Sequence, residues 1–384
     1  MKRLSLWVGL VVVVLVAGGA YWYFSQSANA EPWLVAVTYT GHSGADAADG
    51  VAIVDLNPDS EDFGQLVDTS QIAPGVMPHH LYYAPDGNQL YTTALAGDTF
   101  YTINIKDERI SDISGVDAGT CQLGENLYFT EDGADIYLSC MGSNELVIFD
   151  RENLSIKQSL KADMADDSEA YIRYPHGYGV SKKLDRMIVS ETISADLSDP
   201  GTRVSVVEFS TGNVLSTHVL AKTEGAPSAP VEVVFLPNEE TAYITGMLDA
   251  SLWKATWNAS NSEFEFAQID DPATRGHTWP LEMYIMPNDL MYVSYAQPGA
   301  VDVYNIQNPD QPKFMRTLPA DAGAHHILFS EDGKYMFVQN NLLGLDAMNA
   351  GTISVVDLNS GELVTQINSF NDAKMLPTSM TWLK

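Results

Sequence analysis

The chain has 384 residues, 45% of them hydrophobic, and sets 20 Lys and Arg against 50 Asp and Glu for a formal charge of −30. That apolar content supports a large core and excludes a disordered chain, while the charge excludes a general nucleic-acid binder and docking on anionic lipid, both of which need a basic face. It favours cationic partners, either metal ions or a cationic protein.

In chain order, Lys2 and Arg3 precede an uncharged apolar run from Leu6 to Phe24, followed by Ser25, Gln26, Ser27 and the small-residue pattern Ala28-Asn29-Ala30. Residues 1–30 read as a signal peptide or, because the run is long enough to span a bilayer, an uncleaved signal anchor. The positive charges stay in the cytoplasm, so residues 31–384 are expected to be exported, periplasmic or otherwise extracytoplasmic. The N-terminal segment is then the only expected contact with membrane.

From residue 31 onward one unit recurs: an apolar strand, a tight turn, a strand rich in Tyr and β-branched residues, a second turn, and a strand ending in Asp or Asn. His79-His80-Leu81-Tyr82-Tyr83 runs into Pro85-Asp86-Gly87, Glu125-Asn126-Leu127-Tyr128-Phe129 into Glu131-Asp132-Gly133, and His325-His326-Ile327-Leu328-Phe329 into Glu331-Asp332-Gly333. Further copies start at His176, Val231 and Leu281. Third strands are expected at Val51–Leu56, Phe100–Ile105, Leu146–Asp150, Val204–Phe209, Leu252–Trp257, Val301–Ile306 and Ile353–Leu358. The chain ends on a seventh first strand, Pro377–Trp382, whose partners stand at the other end of the sequence, Trp33–Thr40 and Val51–Leu56. This predicts an all-β fold. It is a seven-bladed β-propeller of four-stranded blades, a single domain over residues 31–384, with the ring closed by pairing the C-terminal strand with the N-terminal strands.

Aligned on their turns, the repeats place His79, Glu125, His176, Val231, Leu281, His325 and Thr378 at one position and His80, Asn126, Gly177, Glu232, Glu282, His326 and Ser379 at the next. Cys121 and His277 stand four residues ahead of the first position. First strands line the channel of a propeller, so these side chains should converge near the axis from different blades. Neutral imidazoles, carboxylates and thiolates gathered at one point are what a transition metal needs. His79, His80, His176, His277, His325, His326, Glu125 and Cys121 are therefore the candidate ligands, and Glu232 and Glu282 the candidate proton acceptors. The bland reading is a polar channel lining copied from repeat to repeat; no Lys or Arg occupies either position.

Adjacent strand residues face opposite ways, so one member of each His pair is expected inward, with the choice open. Cys140 ends the strand that pairs back across Asp132-Gly133, so a Cys121–Cys140 bridge, which would remove Cys121 from the ligands, is equally open. Tyr82, Tyr83, Tyr128, Phe129 and Tyr284 read as packing between blades. Asp46 and Asp49 do not have the spacing of a calcium loop, and Asp163, Asp166, Asp167 and Glu169 read as a solvated acidic loop.

Met77-Pro78-His79-His80 through Gly87, and Tyr174-Pro175-His176-Gly177, resemble the YVTN-type propeller repeat, over most of residues 33–384. The His79-His80 pair, Pro230–Asn238 and Val303–Pro312 resemble the selenium-binding protein/methanethiol oxidase family. That resemblance implies a propeller, export, and a copper-dependent oxidation of methanethiol, with His79 and His80 as copper ligands. The chain is shorter than members of that family and lacks the Cys-rich motif after the His pair.

The expectation is an exported metalloprotein holding copper, with iron as the alternative, and oxidising a small, thiol-like substrate. The rival is a non-catalytic scaffold binding a protein partner or ligand through its acidic faces. A third reading is a lactonase-like hydrolase built on carboxylates around a divalent cation.

Overall fold

The computed structural model describes residues 31–42, 48–161 and 171–384. The signal segment, Asp46 and the acidic residues Asp163, Asp166, Asp167 and Glu169 lie outside them. No helix among the described residues is long and apolar enough to cross a membrane.

The strands follow their burial. Middle strands such as Gly50–Asp55 and Thr241–Gly246 are buried at every residue, because each blade packs against a neighbour on both faces. Outer strands such as Arg109–Gly115 and Lys313–Pro319 are largely exposed and polar. The result is seven antiparallel four-stranded sheets. Blades 1 to 6 are led by Pro78–Tyr83, Gly124–Phe129, Pro175–Ser181, Pro230–Phe235, Thr278–Met286 and Ala324–Phe329, and blade 7 by Met375–Trp382. Aromatic and aliphatic clusters fill the spaces between successive blades, as Phe100, Phe149 and Leu138 do between blades 1 and 2.

Closure follows the predicted pairing. Met375–Trp382 pairs with Leu34–Gly41 in register Thr38↔Ser379, and Gly50–Asp55 and Leu66–Gln71 complete the blade. The third strands stand within one residue of their expected bounds. The turn between the first two strands explains why the weaker repeats remain readable. Gly87, Gly133 and Gly333 occupy its left-handed position at φ 71°, 66° and 66°, and Asp185, Glu239 and Asp289 take the same position at φ 54° to 58°. Each donates its N–H to the carbonyl three residues back.

Cys121 and Cys140 form a disulfide, with Cα atoms 5.2 Å apart, beside the Gly124↔Cys140 pairing. It ties the loop leading into blade 2 to the end of that blade's second strand. Cys121 has no free thiolate and is removed from the candidate ligands.

Candidate metal centre

Each first strand carries an irregularity at the same place. Pairing jumps between Pro78 and Leu81, Gly124 and Leu127, Pro175 and Tyr178, Pro230 and Val233, Pro280 and Met283, and Ala324 and Ile327. In each case two residues of the first strand face one of the second, a β-bulge. The bulged residues are the two aligned positions that hold His79-His80, Glu125-Asn126, His176-Gly177, Val231-Glu232, Leu281-Glu282 and His325-His326. In blade 7 the shift falls opposite Thr38 and Tyr39, at Thr378.

The bulge overturns the expected alternation. Both members of each His pair are buried and turned to the same region, with ring centroids 4.3 Å apart for His79–His80 and 4.1 Å for His325–His326. A polar residue of the second strand serves the bulge. The N–H groups of His80, Asn126, Glu232 and Glu282 donate to the hydroxyls of Thr93, Ser139, Thr245 and Ser294, and that of His326 to the amide oxygen of Gln339. Several of these side chains also reach the next blade: Ser139 donates to the carbonyl of His176, Ser190 to that of Val231 and Thr245 to that of Leu281. These clips escaped the sequence reading, although Ser and Thr recurring late in otherwise apolar second strands were their signal.

The bulges bring together His79, His80, Glu125 and His176, with one potential ligand atom from each lying within 4.8 Å of all the others. A second group, His80, Glu282 and His326, meets the same limit and shares His80 with the first. Glu125 Oε2 stands 3.2 Å from His79 Nε2 and 3.4 Å from His176 Nε2, and His325 Nε2 stands 3.4 Å from Glu282 Oε1. The ring centroids of His80 and His326 are 4.7 Å apart and those of His79 and His325 5.6 Å.

All seven of these residues are at most 8% exposed. Among them His80 Nε2, His176 Nδ1 and His326 Nε2 are buried without a hydrogen-bond partner, while Glu125 Oε2 and Glu282 Oε1 have only the facing imidazoles. Burial holds His80 and His326 well below the ordinary imidazole range, reinforced by the neighbouring rings, and holds His325 down more modestly. Burial raises the Glu125 and Glu282 carboxyls, but the facing imidazoles outweigh it and leave both below the usual range. Glu232, beside Glu282 but without a histidine partner, is pushed well above it by burial and by the Glu282 charge.

His277 does not join the group. It follows the 3₁₀ turn Pro272–Arg275 and stands 3.1 Å from the fully buried Asp302, with its ring against Tyr295 at 5.2 Å. Arg275 caps the same carboxylate at 2.9 Å. His277 thus packs against a buried acid of blade 5, outside the group at the axis, which corrects its assignment as a ligand. Tyr82 packs between blades 1 and 2 as expected and does more: its ring stacks on His80 at 5.9 Å and its hydroxyl donates to Asn126 of the next blade. Tyr128, Phe129 and Tyr284 likewise pack between blades, against Phe209, Tyr91 and Phe329.

Above the histidines, at the channel mouth where the chain enters the first strands, lies a cavity of about 270 Å³. His79, Glu125, His176 and His325 line one end of it; its walls are apolar, with Leu123, Leu197, Leu281 and Leu343 among them.

No protein-family model matches the sequence, and no curated protein matches it. Solved structures match the fold. A hypothetical selenium-binding protein from Sulfolobus tokodaii superposes with a TM-score of 0.72 at 14% identity, over 92% of this chain and 94% of its own. The periplasmic gluconolactonase of Pseudomonas aeruginosa gives 0.64 at 14% identity over 91% and 99%, and Kuenenia stuttgartiensis hydrazine synthase 0.57 at 12% over 80% and 89%. At such identities the likeness is one of fold, a seven-bladed propeller.

The donor set fits a first-row transition ion. Unpartnered imidazole nitrogens and carboxylate oxygens are costly to bury unless something binds them, and imidazole-rich sets suit copper, iron and zinc rather than calcium.

Proposed function

We propose that the protein is an exported metalloprotein that acts on a small molecule at the inner end of the cavity, with copper as the metal. The observation that carries this reading is the convergence of buried imidazoles and carboxylates from blades 1, 2, 3, 5 and 6, with nitrogens of His80, His176 and His326 left unpartnered. His79, His80, Glu125 and His176 would hold the ion, or His80, Glu282 and His326 would. Bound copper would supply electron transfer with an oxidisable substrate, in keeping with the thiol-oxidase resemblance.

The chain's own residues prepare that site. The bulges and their clips fix the imidazoles before any ligand arrives, and the lowered pKa values of His80 and His326 favour the neutral ring, which leaves one nitrogen of each free to ligate. Tyr82 orients His80 by stacking. Glu282, whose pKa the facing His325 draws down, is placed to accept a proton, whereas Glu232, whose pKa burial and the Glu282 charge push up, is placed to donate one. The apolar walls keep bulk water from the donors.

The test is oxygen consumption with small thiols by the copper-loaded protein and by a His80→Ala/His326→Ala variant. Turnover by the parent that disappears in the variant supports an oxidase. Copper binding without turnover on any thiol removes the oxidase assignment, and equal partner capture by both proteins in pull-downs favours the scaffold reading.

A further inference from the structure

The walls of the cavity define what can occupy it. They come from two kinds of connection that end at one channel mouth. One kind is the loops leading into the first strands, which contribute Met77 and Leu123. The other is the loops between second and third strands, which contribute Leu197 in blade 3 and Leu343 in blade 6. Blades 3 and 6 lie across the ring from one another. No Lys or Arg lines the cavity among the described residues, and Glu125 faces it, so an anion would meet no counter-charge there. At its inner end His176 Nδ1 lacks a hydrogen-bond partner, and Glu125 Oε2 has only the facing imidazoles of His79 and His176.

Met77, Leu123, Leu197 and Leu343 all sit in the left-handed region, and the last two belong to the loops between second and third strands. Leu197 is 55% exposed and sits at φ 60°, on a short loop pinned by the Ile193↔Pro200 bridge and by Ser194, which receives the N–H groups of Leu197, Ser198 and Asp199. Leu343 sits at φ 52° in a loop held by Asn341 and by the Leu342–Met348 hydrogen bond. A left-handed backbone disfavours any residue with a Cβ, and an exposed leucine gains little from burial. A glycine would be the local choice at Leu197, whereas Leu343 is half-buried and packs against the cluster that holds Leu281, Leu342 and Met348. Leu197 makes sense as the wall of a chamber.

We propose that this cavity takes a neutral molecule with an apolar body and a single hydroxyl or thiol donor, and that Leu197 and Leu343 set its size and selectivity. The donor hydrogen meets Glu125 or His176, the apolar body fills the space between the two leucines, and sugar acids, lactones and carboxylates are rejected. The inference deepens the proposed function, since the occupant would be the substrate presented to the candidate metal ligands.

The test uses metal-free full-length protein and a series of straight-chain 1-alkanols as probes, with calorimetric or ligand-observed NMR titration, and with metal uptake measured separately. Affinity should rise about fourfold per methylene until the cavity is full, as apolar burial dictates. Hexanoate, and a methyl ether of equal length that lacks the donor, should each bind at least about tenfold more weakly than 1-hexanol. Leu197→Gly should leave the thermal midpoint unchanged or raised, because strain is relieved, Leu343→Gly should lower it through lost packing, and both should flatten the chain-length dependence. Alkanol affinity that ignores chain length, hexanoate binding as well as hexanol, or glycine variants that bind like the parent would each overturn the proposal. Normal metal uptake without alkanol binding sinks this inference and spares the metal reading; alkanol binding without metal uptake does the reverse.

Discussion

His80 is the residue that both groups of potential ligands share, and its environment is the most extreme in the centre: buried, ringed by other imidazoles, and with Nε2 unpartnered. His80→Ala is therefore expected to weaken copper binding by roughly a hundredfold or more, whereas His79→Ala leaves the His80, Glu282 and His326 group intact and costs less. Competition titration against a chromogenic chelator measures both; equal losses would contradict the shared role. The same environments set a pH dependence for the metal-free protein. Folding keeps His80, His325 and His326 below the ordinary value of 6.5, so below that pH the unfolded chain binds more protons and stability falls as pH falls. Glu232 has the opposite sign: raised above 4.5, it contributes stability that fades as pH climbs. The imidazoles outnumber it, so stability should drop between about pH 7 and about pH 5. Urea titrations across this range should show a shallower drop in His80→Ala/His326→Ala, and parallel slopes would contradict the assignment.

At the scale of the strand, the bulge is what converts a repeated sequence position into a site. Ser139 shows its economy: the hydroxyl receives the Asn126 N–H at 2.8 Å and donates to the His176 carbonyl at 2.8 Å, clipping the blade 2 bulge and holding a blade 3 ligand in place. Ser139→Ala strands both groups and is expected to cost about 1–3 kcal/mol in chemical denaturation, and to weaken metal binding although every ligand remains. Undiminished metal affinity at reduced stability would confine the clip to a structural role. The strand order, the turns and the ring closure were legible because apolar alternation and Asp-Gly turns recur in register, and because the unpaired seventh strand had partners only at the other chain end. The convergence of His79, His80, His176, His325, His326, Glu125 and Glu282 was legible for the same reason. The inward turn of both histidines in a pair was not, since period-two alternation gives no sign of a bulge. His277 was misplaced because alignment four residues ahead of a strand does not fix a loop's path, which the pairing of Asp302 with Arg275 decides. The Cys121–Cys140 choice depended on which way two side chains turn across one hairpin.

For the whole molecule, the propeller brings distant segments to one axis and locks them there. Thr378 of the last strand donates to the carbonyl of Pro78, one residue ahead of His79, and Trp382 donates to Phe329. Closure of the ring therefore abuts the centre itself. The site is a property of the closed ring, with ligands drawn from residues 79 to 326. The central claim is that this ring holds a transition metal. Elemental analysis of residues 31–384, purified without a His tag or chelator, tests it most directly. The account predicts about one copper per chain, lost in His80→Ala/His326→Ala with the fold retained by circular dichroism. A parent protein that contains no transition metal and takes up none on reconstitution, or a double variant that retains the parent's metal content, would contradict it.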